Sequence, residues 1–138
     1  MNLIVYYSNE KDILKIVSYY NKTYHANIYQ IKALNKINFF TKFINANISI
    51  EKCNINLKQY DNIILISPLW FNRIPSPVIR FLEQSAGRIN NITYVLYNYN
   101  KDDKPKEFNK MDKILNLQRS KSYFVNLGRK EINVRTYQ

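Results

Sequence analysis

Three short stretches of this chain carry side chains able to do chemistry. Ser8-Asn9-Glu10-Lys11-Asp12-Ile13 sets a hydroxyl, an amide, an ammonium and two carboxylates just before a helical repeat of apolar residues. A helix N-terminus can hold an anion through its backbone N–H groups and its dipole, and Ser8 and Lys11 suit such a seat. The same residues also fit a plainer task, with Asn9 capping the helix and Asp12 completing a capping box of unusual composition. Pro68-Leu69-Trp70-Phe71-Asn72 offers two large rings. These can stack on a flat ligand, or anchor the loop or a partner by their apolar surface. Arg73 beside them can pair with an anion or remain solvated. Asn98 and Tyr99 add hydrogen-bonding groups and a third ring.

Other chemistries find no residues. His25 is the single histidine and Cys53 the single cysteine. A disulfide within the chain is impossible, and neither a zinc site nor a Ser-His triad is expected. No carboxylate pair or histidine stands where it would serve acid–base work, so no catalytic residue and no metal ligand is assigned.

The elements that must position these loops follow from hydrophobic periodicity. Leu3 to Tyr7 is a short continuous apolar run, suited to a strand buried on both faces. Ile13, Ile16, Val17 and Tyr20 then mark one face of a helix. Ala26 to Ala33 alternates as a strand. Lys36 to Ile44 fits a short helix with Ile37, Phe40, Phe43 and Ile44 on one side, and Ile48 to Leu57 is irregular or weakly extended. Asn62 to Ile66 is the clearest buried strand, ended by Ser67-Pro68. Ser76 reads as the cap of the next helix, Pro77 as its first residue and Gly87 as the residue beyond its end, with Val78, Phe81 and Leu82 inward. Ile92 to Tyr97 is a strand rich in β-branched and aromatic residues. Asp103 to Leu115 is a helix with Phe108, Met111 and Leu115 inward. Ser122 to Leu127 is the last core strand, and Ile132 to Tyr137 is an extended tail or a hairpin arm after Gly128. Alternating strands and helices imply right-handed parallel crossovers. The spacing predicts one domain over residues 1–138: an α/β, three-layer α/β/α sandwich with a five-stranded parallel sheet of order 2-1-3-4-5. In such a sheet the three loops meet at the carboxyl ends of the strands, where ligands bind.

The stretch L-K-Q-Y-D-N-I-I-L-I-S-P-L-W-F-N-R-I-P-S-P-V-I-R-F-L-E-Q, with L-I-V-Y-Y-S before it, resembles the flavodoxin-like FMN-binding proteins. The likeness runs from Asn2 to about Tyr99. It implies FMN as cofactor and a redox role, as electron carrier or small flavin-dependent reductase. It places the FMN phosphate on the loop of Ser8, Asn9, Glu10, Lys11, Asp12 and Ile13. It places the flavin ring against Pro68, Leu69, Trp70, Phe71 and Asn72, with Asn98 and Tyr99 at the ring edge. The first loop departs from the family pattern of Ser or Thr, any residue, then Thr-Gly-Asn-Thr. Only Ser8 is kept, and Glu10 and Asp12 add negative charge beside the expected phosphate. The alternative is a domain that keeps the fold, lacks FMN and serves as a protein-interaction or structural module. The final helix common in the family has no counterpart in the short polar segment after Gly128.

The net charge is +11, spread along the chain without a block of five like charges. It fits a basic face for nucleic acid, an acidic protein or an anionic ligand, or simply abundant surface lysine in a chain this rich in Asn, Lys, Ile and Tyr; without such a block, nucleic-acid binding is not favoured. A carrier with this charge calls for an acidic redox partner. The thinly covered sheet face left by the missing helix predicts a homodimer, with the tail strand as one route to the second copy. No run of 18 apolar residues and no signal peptide is visible, so no membrane partner and a cytoplasmic location are expected.

Overall fold

The computed structural model describes residues 1–8, 10–99, 104–127 and 133–137, with Asn133 through its backbone alone. Strand β1 spans Asn2–Tyr6, and its Leu3, Ile4 and Val5 are fully buried. Helix α1 spans Ile13–Tyr24 and buries Ile13, Ile16, Val17 and Tyr20, the face that the 3.6-residue period marks. Asp12 occupies its N-cap position but makes no capping bond with its side chain, and Asn9 lies outside the described residues. Strand β2, Asn27–Gln30, is shorter than the expected 26–33. Beyond it the chain forms only a bridge between Ala33 and Ile50.

Helix α2, Phe39–Ile44, is capped by Asn38, whose side chain accepts from Thr41 N at 2.8 Å. It buries none of its residues, and Phe39, Phe40, Phe43 and Ile44 are all exposed. Hydrophobicity at helical spacing therefore does not make an inward face here. A six-residue helix has too little length to cross the sheet, and Ile31, Ile48 and Ile50 anchor this region instead.

Strand β3 runs Asn62–Pro68, two residues beyond the expected stop. Proline is tolerated there because β1 has already ended, its last pairing being Tyr6 with Ile66. The N–H that Pro68 lacks would face that vacated side, while Leu69 N donates to Tyr97 O on the other. Helix α3, Ser76–Ser85, has Pro75 rather than Ser76 at its N-cap. Ser76 bonds elsewhere: its N–H donates to Asn45 Oδ1 at 2.9 Å, and its hydroxyl donates to Ala46 O. Gly87, at φ +78°, follows the helix end in the left-handed region that suits glycine. Strand β4 is Ile92–Asn98, helix α4 is Lys106–Leu115 and strand β5 is Lys121–Asn126. The expected start of α4 at Asp103 lies outside the described residues.

The sheet has six strands, not five. Its order is β2-β1-β3-β4-β5-β6, where β6 is Asn133–Tyr137. The first five are parallel in the expected order, and β6 lies antiparallel along β5 from Ser122↔Tyr137 to Asn126↔Asn133. The tail is thus paired within its own chain, along β5. Ser122 Oγ donates to Tyr137 O at 2.5 Å, and the Tyr137 ring lies 6.1 Å from that of Phe108.

Two cores flank the sheet. One packs Val78, Phe81 and Leu82 of α3 and Phe108, Met111 and Leu115 of α4 against Leu3, Val5, Ile63, Leu65, Tyr94 and Phe124. The other packs α1 against Ile4, Ile64, Ile66, Val95, Tyr97 and Val125. The Tyr20 ring of α1 lies 5.7 Å from that of Tyr123 on β5. A single helix so reaches across the face on which a final helix was missed, and among the described residues no helix follows β5. No helix among them is long and apolar enough to cross a membrane.

Candidate functional site

At the carboxyl ends of β1, β3 and β4 the chain leaves a cleft of about 260 Å³. Its walls come from the three loops singled out by sequence and from one residue of α2. Pro68, Leu69, Trp70, Phe71 and Asn72 form one side, Tyr97, Asn98 and Tyr99 another, and Glu10 with Lys42 the third. Small-ligand pockets usually enclose about 300–1,000 Å³, so this one suits a flat group left partly open to solvent.

The loop after β3 is built as a tight hairpin. Trp70 N donates to Arg73 O at 2.7 Å and Arg73 N returns to Trp70 O at 3.0 Å. Between them Phe71 (φ 48°) and Asn72 (φ 65°) both take left-handed backbone, the signature of a type I′ turn. Asparagine tolerates that region, whereas a phenylalanine there carries strain of roughly 1–2 kcal/mol. The flanks are well held. Trp70 is 4 % exposed and packs edge-on against Tyr7, with ring centroids 5.8 Å apart. Arg73 donates to Phe43 O, Asn45 Nδ2 donates to Ile74 O at 3.0 Å, and Ile74 N donates to Glu107 Oε2 at 3.2 Å. Trp70 is therefore the loop's core anchor. The ring it presents outward is Phe71, 47 % exposed, which meets Phe39 and Phe43 edge-on at 5.4 and 5.3 Å.

The loop after β1 is organised by polar groups. Glu10 N donates to Ser8 Oγ at 2.9 Å. Leu14 N donates to Lys11 O and Lys15 N to Asp12 O, each at 3.2 Å, so two first-turn amides of α1 are already engaged. The Tyr99 hydroxyl stands 2.7 Å from Glu10 Oε2 and 2.9 Å from Asp12 Oδ2, and with its one proton it donates to one at a time. Lys42 Nζ lies 4.0 Å from Glu10 Oε1, and Lys15 Nζ 3.8 Å from Asp12 Oδ1. Partial burial, then hydrogen bonding to the two carboxylates and their charge, holds the Tyr99 proton far above the ordinary tyrosine range. Tyr97, fully buried in the cleft wall, is raised first by burial and further by Glu10 and Asp12. Burial pushes the Tyr7 hydroxyl up to about 12.

Of the residues singled out by sequence, Glu10, Pro68, Leu69, Trp70, Phe71, Asn72, Asn98 and Tyr99 come together around the cleft. Ser8 is buried beneath the loop, Asp12 sits behind Glu10, Lys11 is exposed and Ile13 points into the core. Asn9 is outside the described residues. Lys42 and Tyr97 were not foreseen as part of the site. Lys42 arrives from a helix far away in sequence and carries no local signal. Tyr97 was legible as the last residue of a strand that ends beside the loop.

The arrangement can seat a flat ring between Phe71 and Tyr99, and it can accept hydrogen bonds at Glu10 and Asp12. A further negative charge brought to about 4 Å from either carboxylate would be disfavoured by roughly 1–4 kcal/mol.

No protein-family model matches the chain, and no curated protein does. Solved structures do match. A flavoprotein from Lactobacillus acidophilus NCFM in complex with FMN superposes with a TM-score of 0.77 at 17 % identity, over 89 % of this chain and 91 % of that one. A chain from Bacteroides uniformis ATCC 8492, provisionally assigned as a flavoprotein, gives 0.78 at 14 % identity over 91 % and 90 %. Another so assigned, from Bacteroides eggerthii DSM 20697, gives 0.77 at 12 % identity over 94 % and 89 %. These likenesses establish a flavodoxin-like fold.

Proposed function

We propose that this chain is a flavin-binding protein of flavodoxin-like fold that works in electron transfer, as a carrier or as a small flavin-dependent reductase. The observation that carries this reading is the cleft flanked by two half-exposed rings, Phe71 and Tyr99, on the loops that follow neighbouring strands β3 and β4. Ligands of open α/β sheets bind at that end of the sheet, beside the point where strand order reverses. The Lactobacillus structure, which holds FMN, lends support through its shared fold.

A bound flavin would supply the redox chemistry, and the protein would supply stacking, orientation and electrostatics. Phe71 and Tyr99 would hold the ring, Trp70 would fix the loop from within, and Asn72 and Asn98 would offer polar contacts at its edge. With a net charge of +11, the surface favours partners with acidic faces.

The test is to purify the chain, record its absorbance and titrate it with flavin while following flavin fluorescence. Saturable quenching at micromolar flavin is expected. An absence of binding at about 1 mM, an affinity of only ~4 kcal/mol or less, would overturn the proposal in favour of a module that keeps the fold without the ligand.

A further inference from the structure

We infer that the cleft selects a flavin without its phosphate, a riboflavin-type ligand with a neutral polyol chain, over FMN. This rests on the flavin reading above and concerns the other end of the same site. Where a phosphate would sit beside the N-terminus of α1, the chain has placed two carboxylates, Glu10 and Asp12, joined through the Tyr99 hydroxyl. Two of the nearby cations are tied to these carboxylates. Lys42 and Lys15 stand at 4.0 and 3.8 Å from those same carboxylates, and each is already matched to one. Three of the amides around this helix N-terminus are also engaged. Glu10 N is held by Ser8 Oγ, Leu14 N by Lys11 O and Lys15 N by Asp12 O.

A polyol meets this surface on different terms. Its hydroxyls are donors, and an ionised carboxylate is an acceptor with about four lone-pair sites. Tyr99 fills only part of that capacity. Deeper in the wall, the fully buried Tyr97 hydroxyl lies beside Ser8. Tyr97 also lines the cleft, next to the seat the polyol would take. A neutral, hydroxyl-rich chain therefore gains acceptors and meets no repulsion, while a dianion meets two like charges.

The experiment compares riboflavin with FMN on the full chain by fluorescence titration, at low and at high salt. Riboflavin is expected to bind at least about tenfold tighter than FMN, a gap of about 1.4 kcal/mol, at low salt. Added salt should narrow the gap, because screening weakens the repulsion. The double variant E10Q/D12N keeps hydrogen-bonding side chains and removes both charges, and it should invert the preference. The single variant E10Q, checked for folding by circular dichroism, should move the ratio part of the way. Equal or tighter binding of FMN by the wild-type chain overturns the inference and leaves the flavin reading standing. A riboflavin preference that the variants do not move overturns its assignment to these carboxylates. Failure of both flavins to bind removes the flavin reading itself, and the inference with it.

Discussion

Phe71 and Glu10 line one cleft, but the chain holds them by different means. Phe71 rides on a two-residue turn whose flanks are tied to three other elements, with Trp70 sunk into the core below. Glu10 sits in a loop organised by hydroxyls, amides and carboxylates, and Tyr99 reaches across 89 residues of sequence to it. At the ring side, shape is set by buried apolar area, which salt and pH hardly alter. At the polar side, it is set by charge and protons, which respond to both. The lesson is that a site can keep its stacking surface while the electrostatics a few ångströms away change to suit another ligand.

The contrast can be broken hardest at Trp70. Trp70→Ala should lower stability by about 3–5 kcal/mol, the loss typical of a large buried ring, measured by urea unfolding. A loss below about 1 kcal/mol would show that the ring side is not anchored from the core. Next comes the alkaline limit. An unfolded tyrosine releases its proton near pH 10, while folded Tyr7 keeps its proton to about 12. Its contribution is thus whole below pH 10 and is lost as pH rises toward 12, on the order of 2 kcal/mol. Tyr7→Phe should flatten that part of the stability curve, and an unchanged alkaline slope would contradict the assignment.

A smaller effect is expected at the bridge between the loops. Tyr99→Phe should lower stability by about 0.5–1.5 kcal/mol, because the lost hydrogen bond is charge-assisted but half-exposed. The loss should shrink when Glu10 is already Gln, which a double-mutant cycle would reveal. The smallest stability change is expected at Phe71. Phe71→Ala should alter unfolding by less than about 1 kcal/mol yet weaken flavin binding by about tenfold, in line with one stacking contact. Normal flavin affinity in that variant would shift the stacking role to Tyr99.

Much of the frame was legible because its signals are local. The faces of α1, α3 and α4 repeat at helical spacing, the middle of β3 is an unbroken apolar run and β4 is rich in β-branched and aromatic residues, so order and burial could be read directly. The three loops of the cleft followed from sheet topology. What escaped depends on distant partners. Nothing near Ser76 shows that Asn45 and Ala46 will take its bonds and pass the cap to Pro75. Phe40, Phe43 and Ile44 pattern with Ile37 as an inward face, but the helix holds only the first three and is too short to turn them to the sheet, while Ile37 packs on the core from before it. Trp70 and Phe71 are equally aromatic neighbours, and only the left-handed backbone at Phe71 sends one inward and the other out. The sixth strand was visible as an extended tail or a hairpin arm, and it pairs antiparallel with the strand before it, as the second of these implies.

The turn at Phe71 and Asn72 also bears on redesign. It separates the residue that holds the loop from the residue that would touch a ligand, one position apart. Position 71 can therefore take a new side chain without reopening the core, and Gly or Asn there would relieve backbone strain as well. Position 70 has no such freedom. A library aimed at retuning the cleft would be varied at 71 and held fixed at 70, and it would lose few members to misfolding.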